Sequence, residues 1–390
     1  MNFVKRARDN YFTLNGRSSA DWDIVCSSDT AYNAPARDVK AIQVPGRNGE
    51  LHIDNGRWQN IDLTYNDCVI ESDFGDKFDD FRAYCTRQRG YQRLEDTFHP
   101  GEYRLADLTQ GIKVKLLGTR YNSGRFDLTF NCKPQRFLKS GEEPIYIMPP
   151  LYGNKTPGLN RFSQYGTTIR LLKMPASGSV SFKINYWSDI EALPSGSISI
   201  GTATAVGWEY TLDRDLPSPY WNVEATVGQD DNLDDLIFEV EGSYIWGSLA
   251  NEVEHIRAYC GRKLEFENPT GFVCRPTFEV NGTIFPIHWI SNEDGNGNIT
   301  EKWVINCDDY SELTTDAVID CENEYFYYTD TNGKKQNITG KMTITHYVDG
   351  EQKFPSFPKL GASKTVIYNY LTYGGYIDSF IRMYPHWFTI

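Results

Sequence analysis

What most constrains this chain is the spacing of its apolar residues. Along nearly its whole length they alternate with polar ones at period two, in short runs broken by turn-forming residues. That is the pattern of strands that bury one face. "AIQV" and "LHID", residues 41–44 and 51–54, show it with "PGRNG" close between them. Pro45 fixes φ, and Gly46, Asn48 and Gly49 tolerate φ > 0, so Pro45–Gly49 with Arg47 at its centre makes a tight reversal. A phosphate cradle would need a following helix or a GxxxxGK[ST] pattern, and neither is present. The segment reads as a hairpin.

Composition agrees with a mainly β chain. The 25 Tyr, 21 Phe and 9 Trp among 390 residues, with many Thr, Val and Ile, favour strands. At 40% hydrophobic residues, the chain can build cores and is not disordered. One stretch breaks the alternation. In "SDFGDKFDDFRAYCTRQRG", Phe74, Phe78, Phe81, Tyr84 and Cys85 fall at three- and four-residue steps. With Ser72 and Asp73 as cap candidates and Gly90 as a stop, it predicts a helix over about 73–89.

Net charge is −13, unevenly placed: residues 1–140 carry +2, residues 141–260 carry −9 and residues 261–390 carry −6. Such a chain is a poor candidate for gripping nucleic acid. No apolar run approaches the eighteen or so residues of a membrane span. The basic N-terminus lacks a following apolar stretch, so no secretory signal is expected and the chain is expected to fold in a cytoplasm. The eight cysteines stand singly, outside any zinc spacing, and read as free, mostly buried thiols.

The expected organisation has three parts. Residues 1–140 form an N-terminal β-sandwich-like domain carrying the helix. Residues 148–258 open on loop-like "MPPLYGNKTPG", alternate through "GSVSFKINYW" and "WNVEATV", and carry the acidic shift; they read as a separate β-sandwich or jelly roll. Residues 141–147 with 259–390 make a third, C-terminal β-sandwich.

Four N-terminal stretches in order, "YFTLNGRSS" (Tyr11–Ser19), "VPGRNGEL" (Val44–Leu51), "FDDFRAYCTRQRGYQRLEDTFHPGEYRLADL" (Phe78–Leu108) and "DLTFNCKPQRFLKSGEEP" (Asp127–Pro144), resemble the distal tail proteins of long-tailed phages that infect Gram-positive bacteria. The C-terminal stretches "LEFENPTGFVCRPTFEVNG" (Leu264–Gly282), "AVIDCENEYFYY" (Ala317–Tyr328), "FPSFPKLGASKTVIY" (Phe354–Tyr368) and "RMYPHWFTI" (Arg382–Ile390) are similar to that family's galectin-like domain. The resemblance implies a structural protein of the virion tail tip, a baseplate hub, with no enzymatic role and no cofactor. It implies a homohexameric ring, assembled in the host cytoplasm, that joins the tail tube protein to a tail-associated fibre or lysin protein. A long span between Glu143 and Asn268 departs from the short family pattern. Family members enlarged there by carbohydrate-binding-like modules make such a module, with host cell-wall saccharide or receptor-binding proteins as partners, the leading reading of 148–258.

Under that resemblance, Pro45, Gly46, Arg47, Asn48 and Gly49 are candidates for a ring or tube contact, because the guanidinium fork of Arg47 suits a carboxylate or carbonyls across an interface. Saccharides bind flat aromatic rings with polar partners beside them. Tyr220 and Trp221, after the proline-rich "LPSP", are the leading candidates, with Trp208 and Trp187 beside them; Trp246 reads as core. The class weighed against the hub is a secreted or surface polysaccharide-active enzyme. It finds no HExxH, GxSxG or SxxK, and Asp79/Asp80, Asp230/Asp231 and Asp234/Asp235 read as solvated acidic pairs. His288 reads as structural. "NEDGNGN" (Asn292–Asn298) and "GQDDNLDD" (Gly228–Asp235) lack EF-hand spacing, and no metal is expected.

Overall fold

The computed structural model describes residues 10–117, 122–150, 155–156, 158–159, 161–188, 193–228, 232–246, 252–281, 287–307, 317–369 and 380–390, without the side chains of residues 246, 252, 281 and 380. The chain is mainly β and divides into two units: Met1–Gly141 with Phe388–Ile390, and Glu142–Trp387.

The first unit is organised by its longest strand, Ser123–Leu138. Alternation turns Gly124, Phe126, Leu128, Phe130 and Cys132 inward along it. It pairs antiparallel with Ile61–Ile70 along one edge, and with Glu102–Asp107 and Lys113–Leu117 along the other. Near its end it pairs with Phe388–Thr389. The helix runs Phe74–Arg87 and buries Phe74, Phe78, Phe81 and Cys85. Phe78 and Phe81 meet Phe126 of the long strand at ring-centroid distances of 5.2 and 5.6 Å, and Phe12 stacks on Tyr65 at 4.8 Å. Asp73 does not cap the helix through its side chain, as its sequence position suggested; it lies at φ 55°. Asn122 takes over instead: its Oδ1 accepts the Asp73 amide and its carbonyl accepts the Phe74 amide, both at 3.2 Å.

The hairpin of the first unit stands apart. Arg37–Gln43 and Glu50–Trp58 pair with each other and, among the described residues, with no other strand.

The second unit holds a ten-stranded, a six-stranded and a three-stranded sheet. Ile145–Met148 leads out of the first unit's boundary, and Glu252–Gly261 returns beside it in parallel, Tyr146 opposite Ala258 and Met148 opposite Cys260. A parallel pair needs a long crossover, and the intervening span provides it. Within that span, Val180–Trp187 joins Gly196–Ala203 and Tyr220–Thr226 in the small sheet. Tyr165–Lys173, Glu209–Asp213 and Ile237–Trp246 join the ten-stranded sheet. One core of buried residues, among them Tyr146, Met148, Phe162, Phe182, Trp221, Phe238 and Cys260, lies between them.

Residues 148–258 therefore contribute a sandwich, but not a separate body. Their strands continue through Glu252–Gly261 and Ile145–Met148 into Phe380–Tyr384, Thr277–Asn281 and Ala317–Asp320 of the same sheet. Open edge groups seek partners, and Ile145–Met148, which carries the returning strand on one edge, finds its second partner in Phe380–Tyr384. The chain's last residues differ from expectation in the same way, since Phe388–Ile390 belong to the first unit and not to a C-terminal domain.

Phe81 is 1% exposed and touches the rings of Phe12, Trp22, Phe78 and Phe126. Phe81→Ala is expected to destabilise the first unit by about 3–5 kcal/mol, read as a lower urea midpoint at unchanged slope.

Candidate functional site

The register of the hairpin arm sorts its side chains onto two faces. Ile42 lies opposite Leu51, Lys40 opposite Ile53 and Ala41 opposite His52. Alternation then puts Lys40, Ile42, Leu51 and Ile53 on one face, and Ala41, Gln43, Glu50, His52 and Asp54 on the other. Leu51 and Ile53 are each 44% exposed. At the tip, Pro45 and Gly46, the latter at φ 81°, make a type II reversal closed by the Arg47 amide on the Val44 carbonyl at 3.2 Å. Arg47 is exposed, and among the described residues no side chain pairs with its guanidinium. The base is fixed: the Arg37 guanidinium lies 4.3 Å from the Trp58 ring centroid, and Arg57 bonds Asp38. That bond holds the Asp38 carboxyl below the usual range.

The aromatic residues expected to meet saccharide divide sharply. Trp221 is 1% exposed and Trp187 is 3% exposed, so both rings belong to the interior and offer no platform. The strand Tyr220–Thr226 starts at the end of the proline-rich loop itself, and its inward phase takes Trp221, Val223 and Ala225. Trp208 is half-buried and stacks on Phe182 at 4.8 Å. Tyr220 is half-buried opposite Trp187. The side chain of Trp246 lies outside the described residues.

Beside Tyr220, the small sheet carries a closed polar cluster. Asn185 Nδ2 donates to Asn222 Oδ1 at 3.1 Å and to Glu224 Oε2 at 2.8 Å, and Lys155 and Lys183 lie 3.3 Å from the same carboxylate. Burial pushes the Glu224 carboxyl up, but the Asn185 bond and the two ammonium groups outweigh it and hold it below the usual range.

A cleft of about 380 Å³ in the second unit has no counterpart in the sequence reading. Tyr259, Phe266, Trp387, Leu172 and Leu264 line it, with Lys173 and Glu265 on its rim. Glu265 is bound by Lys364 at 2.8 Å and lies 3.5 Å from Lys173. Tyr259 and Phe266 come from the consecutive strands Glu252–Gly261 and Lys263–Glu267, and Trp387 joins them from the far end of the chain.

The acidic pairs are committed elsewhere. Asp80 accepts from Arg17 at 2.9 Å and from Trp22 Nε1 at 2.7 Å, and Asp79 pairs with Arg82 at 3.0 Å. Asp234 bonds the Tyr368 hydroxyl and Asp235 lies 3.3 Å from Lys173; Asp230 and Asp231 are outside the described residues. Asp294 of "NEDGNGN" spends its carboxylate on the amides of Asn296 and Asn298, which close a turn. Among the described residues, no group of three His, Cys, Asp or Glu is placed to hold a metal. His288 is half-buried near the Tyr368 ring, and burial pushes its pKa down. All eight cysteines are free thiols, and Cys307 alone is not fully buried. Among the described residues, no helix is long and apolar enough to cross a membrane.

These features define a β-rich protein with an exposed two-stranded arm and an aromatic-lined cleft. No family model matches the chain, and no curated protein matches it. Solved structures similar to it include the Dit (gp 19.1) protein of SPP1, described as a paradigm of the hub adsorption apparatus in phages infecting Gram-positive bacteria. That similarity has a TM-score of 0.42 at 8% identity and covers 96% of this chain and 97% of that one. The phage P2 baseplate in its activated conformation with Ca is similar at a TM-score of 0.35 and 9% identity, over 97% and 98% of the two chains.

Because its folded pKa is depressed, Glu224 stabilises the fold above the unfolded glutamate pKa, and that contribution disappears as pH falls through the folded value. Glu224→Gln is expected to melt below the parent at neutral pH, with the gap narrowing towards about pH 3. Thermal melts across that range check it, and a gap independent of pH would contradict the assignment.

Proposed function

We propose that the chain is the hub at the distal end of a long, non-contractile phage tail, a homohexameric ring between the tail tube and the tip proteins. Two things support this reading. The ordered motifs from Tyr11 to Pro144 and from Leu264 to Ile390 resemble distal tail proteins. The observation that carries it is the arm: a ribbon with Leu51 and Ile53 exposed on one face and, at its tip, Arg47, with which no side chain pairs among the described residues. A two-stranded ribbon is only marginally stable alone in water, so its apolar face calls for a neighbour. In a ring, the next copy is that neighbour, and Arg47 finds its carboxylate or carbonyls there.

Saccharide attachment is the second element of the proposal. Tyr220 and Trp208 keep partly exposed rings, and the cleft beside Tyr259, Phe266 and Trp387 offers more. Several copies in one ring would turn weak single-site affinity into firm attachment. Docking of receptor-binding proteins on the same span is the competing use. The acidic balance fits a hub with no grip on DNA at physiological salt.

Light scattering and negative-stain microscopy of the purified chain test the hub. Rings are expected, and a monomer under all conditions would sink the proposal. Leu51→Asp with Ile53→Asp is expected to abolish the rings while changing folding stability by no more than about 0.5 kcal/mol per site. Rings that survive this pair would remove the arm from the interface. Cosedimentation with purified host cell walls is expected to fall on Tyr220→Ala or Trp208→Ala; unchanged cosedimentation would separate those rings from attachment.

A further inference from the structure

We propose that Phe354 is an anchor that seats in a dish on the six-stranded sheet of a second copy of this chain. The two phenylalanines of "FPSFP" have opposite fates. Phe357 is 9% exposed, whereas Phe354 is 93% exposed, the highest value among the exposed large apolar side chains of the described residues. A ring left in water this way forgoes the stabilisation of burial.

The ring is held on a rigid mount. Directly after Pro355, Ser356 Oγ accepts the Trp303 Nε1–H at 3.2 Å and lies 3.1 Å from His346 Nδ1. His346 Nε2 lies 2.9 Å from Glu301 Oε1, and the His346 ring stacks on Trp303 at 5.1 Å and 1°. Trp303 is itself fully buried. An apolar ring presented this way loses little freedom when it binds, which is the behaviour of an interface anchor.

The dish lies on neighbouring strands of the same sheet. It is a depression of about 360 Å³ lined by Ile299, Val304 and Tyr347 together with the charged Glu301, Lys302 and Asp349. Ile299 is 47% exposed there. At 93% exposure Phe354 does not occupy the dish of its own molecule, so a filled dish takes its ring from elsewhere. Every copy carries both halves of the contact, which makes a second copy the fitting partner. Lys353, whose ammonium bonds Glu351 at 2.6 Å, precedes the anchor, and Asp349 borders the dish. The inference does not depend on the hub reading, because it concerns one pairwise contact of the second unit.

The test replaces Phe354 by a photoreactive phenylalanine analogue in the full chain. This protein is mixed with a heavy-isotope-labelled copy, irradiated, and mapped by mass spectrometry. Light-to-heavy products joining position 354 to residues 299–304 or 347–350 are expected. Their yield should fall about tenfold, equivalent to about 1.4 kcal/mol of binding, when the labelled copy carries Ile299→Asp, a change its exposed position tolerates. No inter-copy product, products within one chain only, products at other segments or on another protein, or a yield unaffected by Ile299→Asp would each overturn the proposal. Ser356→Ala in the photoreactive copy alone provides a second reading: the loosened mount should lower the yield on an unaltered labelled copy, and an unchanged yield would overturn the part assigned to the mount.

Discussion

The second unit depends on one short pairing. Ile145–Met148 hydrogen-bonds in parallel with Glu252–Gly261 on one side and antiparallel with Phe380–Tyr384 on the other. Without this strand the ten-stranded sheet would fall into two. Its side chains serve different environments: Tyr146 and Met148 enter the core of the inserted sandwich, and Ile147 is fully buried between its neighbours. The Tyr146 hydroxyl donates to Glu254 at 2.9 Å across the junction. Insertion into a sheet in this way leaves the added strands stiffly coupled to their host, unlike a module on a linker.

Charge inside this sheet is managed by pairing. Glu239, 2% exposed, bonds Arg170 and lies 3.7 Å from Arg257, and Glu241 pairs with Arg257 at 3.1 Å and with His255 at 3.2 Å. A buried carboxylate left without such partners would be costly, so the network specifies register as well as neutralising charge. Both guanidinium groups are held above the usual arginine range, Arg170 chiefly by its bond to Glu209 and Arg257 chiefly by the Glu239 charge. The acidic surplus of residues 141–260 is therefore partly internal, and net charge overstates what the surface presents.

Satisfied groups fill most of the structure, and exposed apolar side chains occur in both units, among them Tyr32, Leu193 and Val253. The arm's Leu51 and Ile53, its Arg47 tip and the Phe354 ring are offered to solvent on well-fixed supports. Carboxylates that might have suggested hydrolysis are instead tied to arginine, lysine, tyrosine or backbone amides.

Periodicity by itself determined much of this protein. Period-two alternation predicted a mainly β chain, the three- and four-residue steps of Phe74, Phe78, Phe81 and Cys85 located the helix, and "PGRNG" marked the hairpin turn. These are local signals, carried by residues a few positions apart. Tertiary structure alone decided which rings were inside. Alternation tells that Trp221, Val223 and Ala225 share a face, but only the packing of the small sheet on its neighbour makes that face the interior. It also decided where strands separated by long stretches of chain would pair, such as Phe137 with Phe388 and Ile147 with Ile381. Such pairings depend on which edges remain open once local hairpins have formed, and no short window of sequence contains that information.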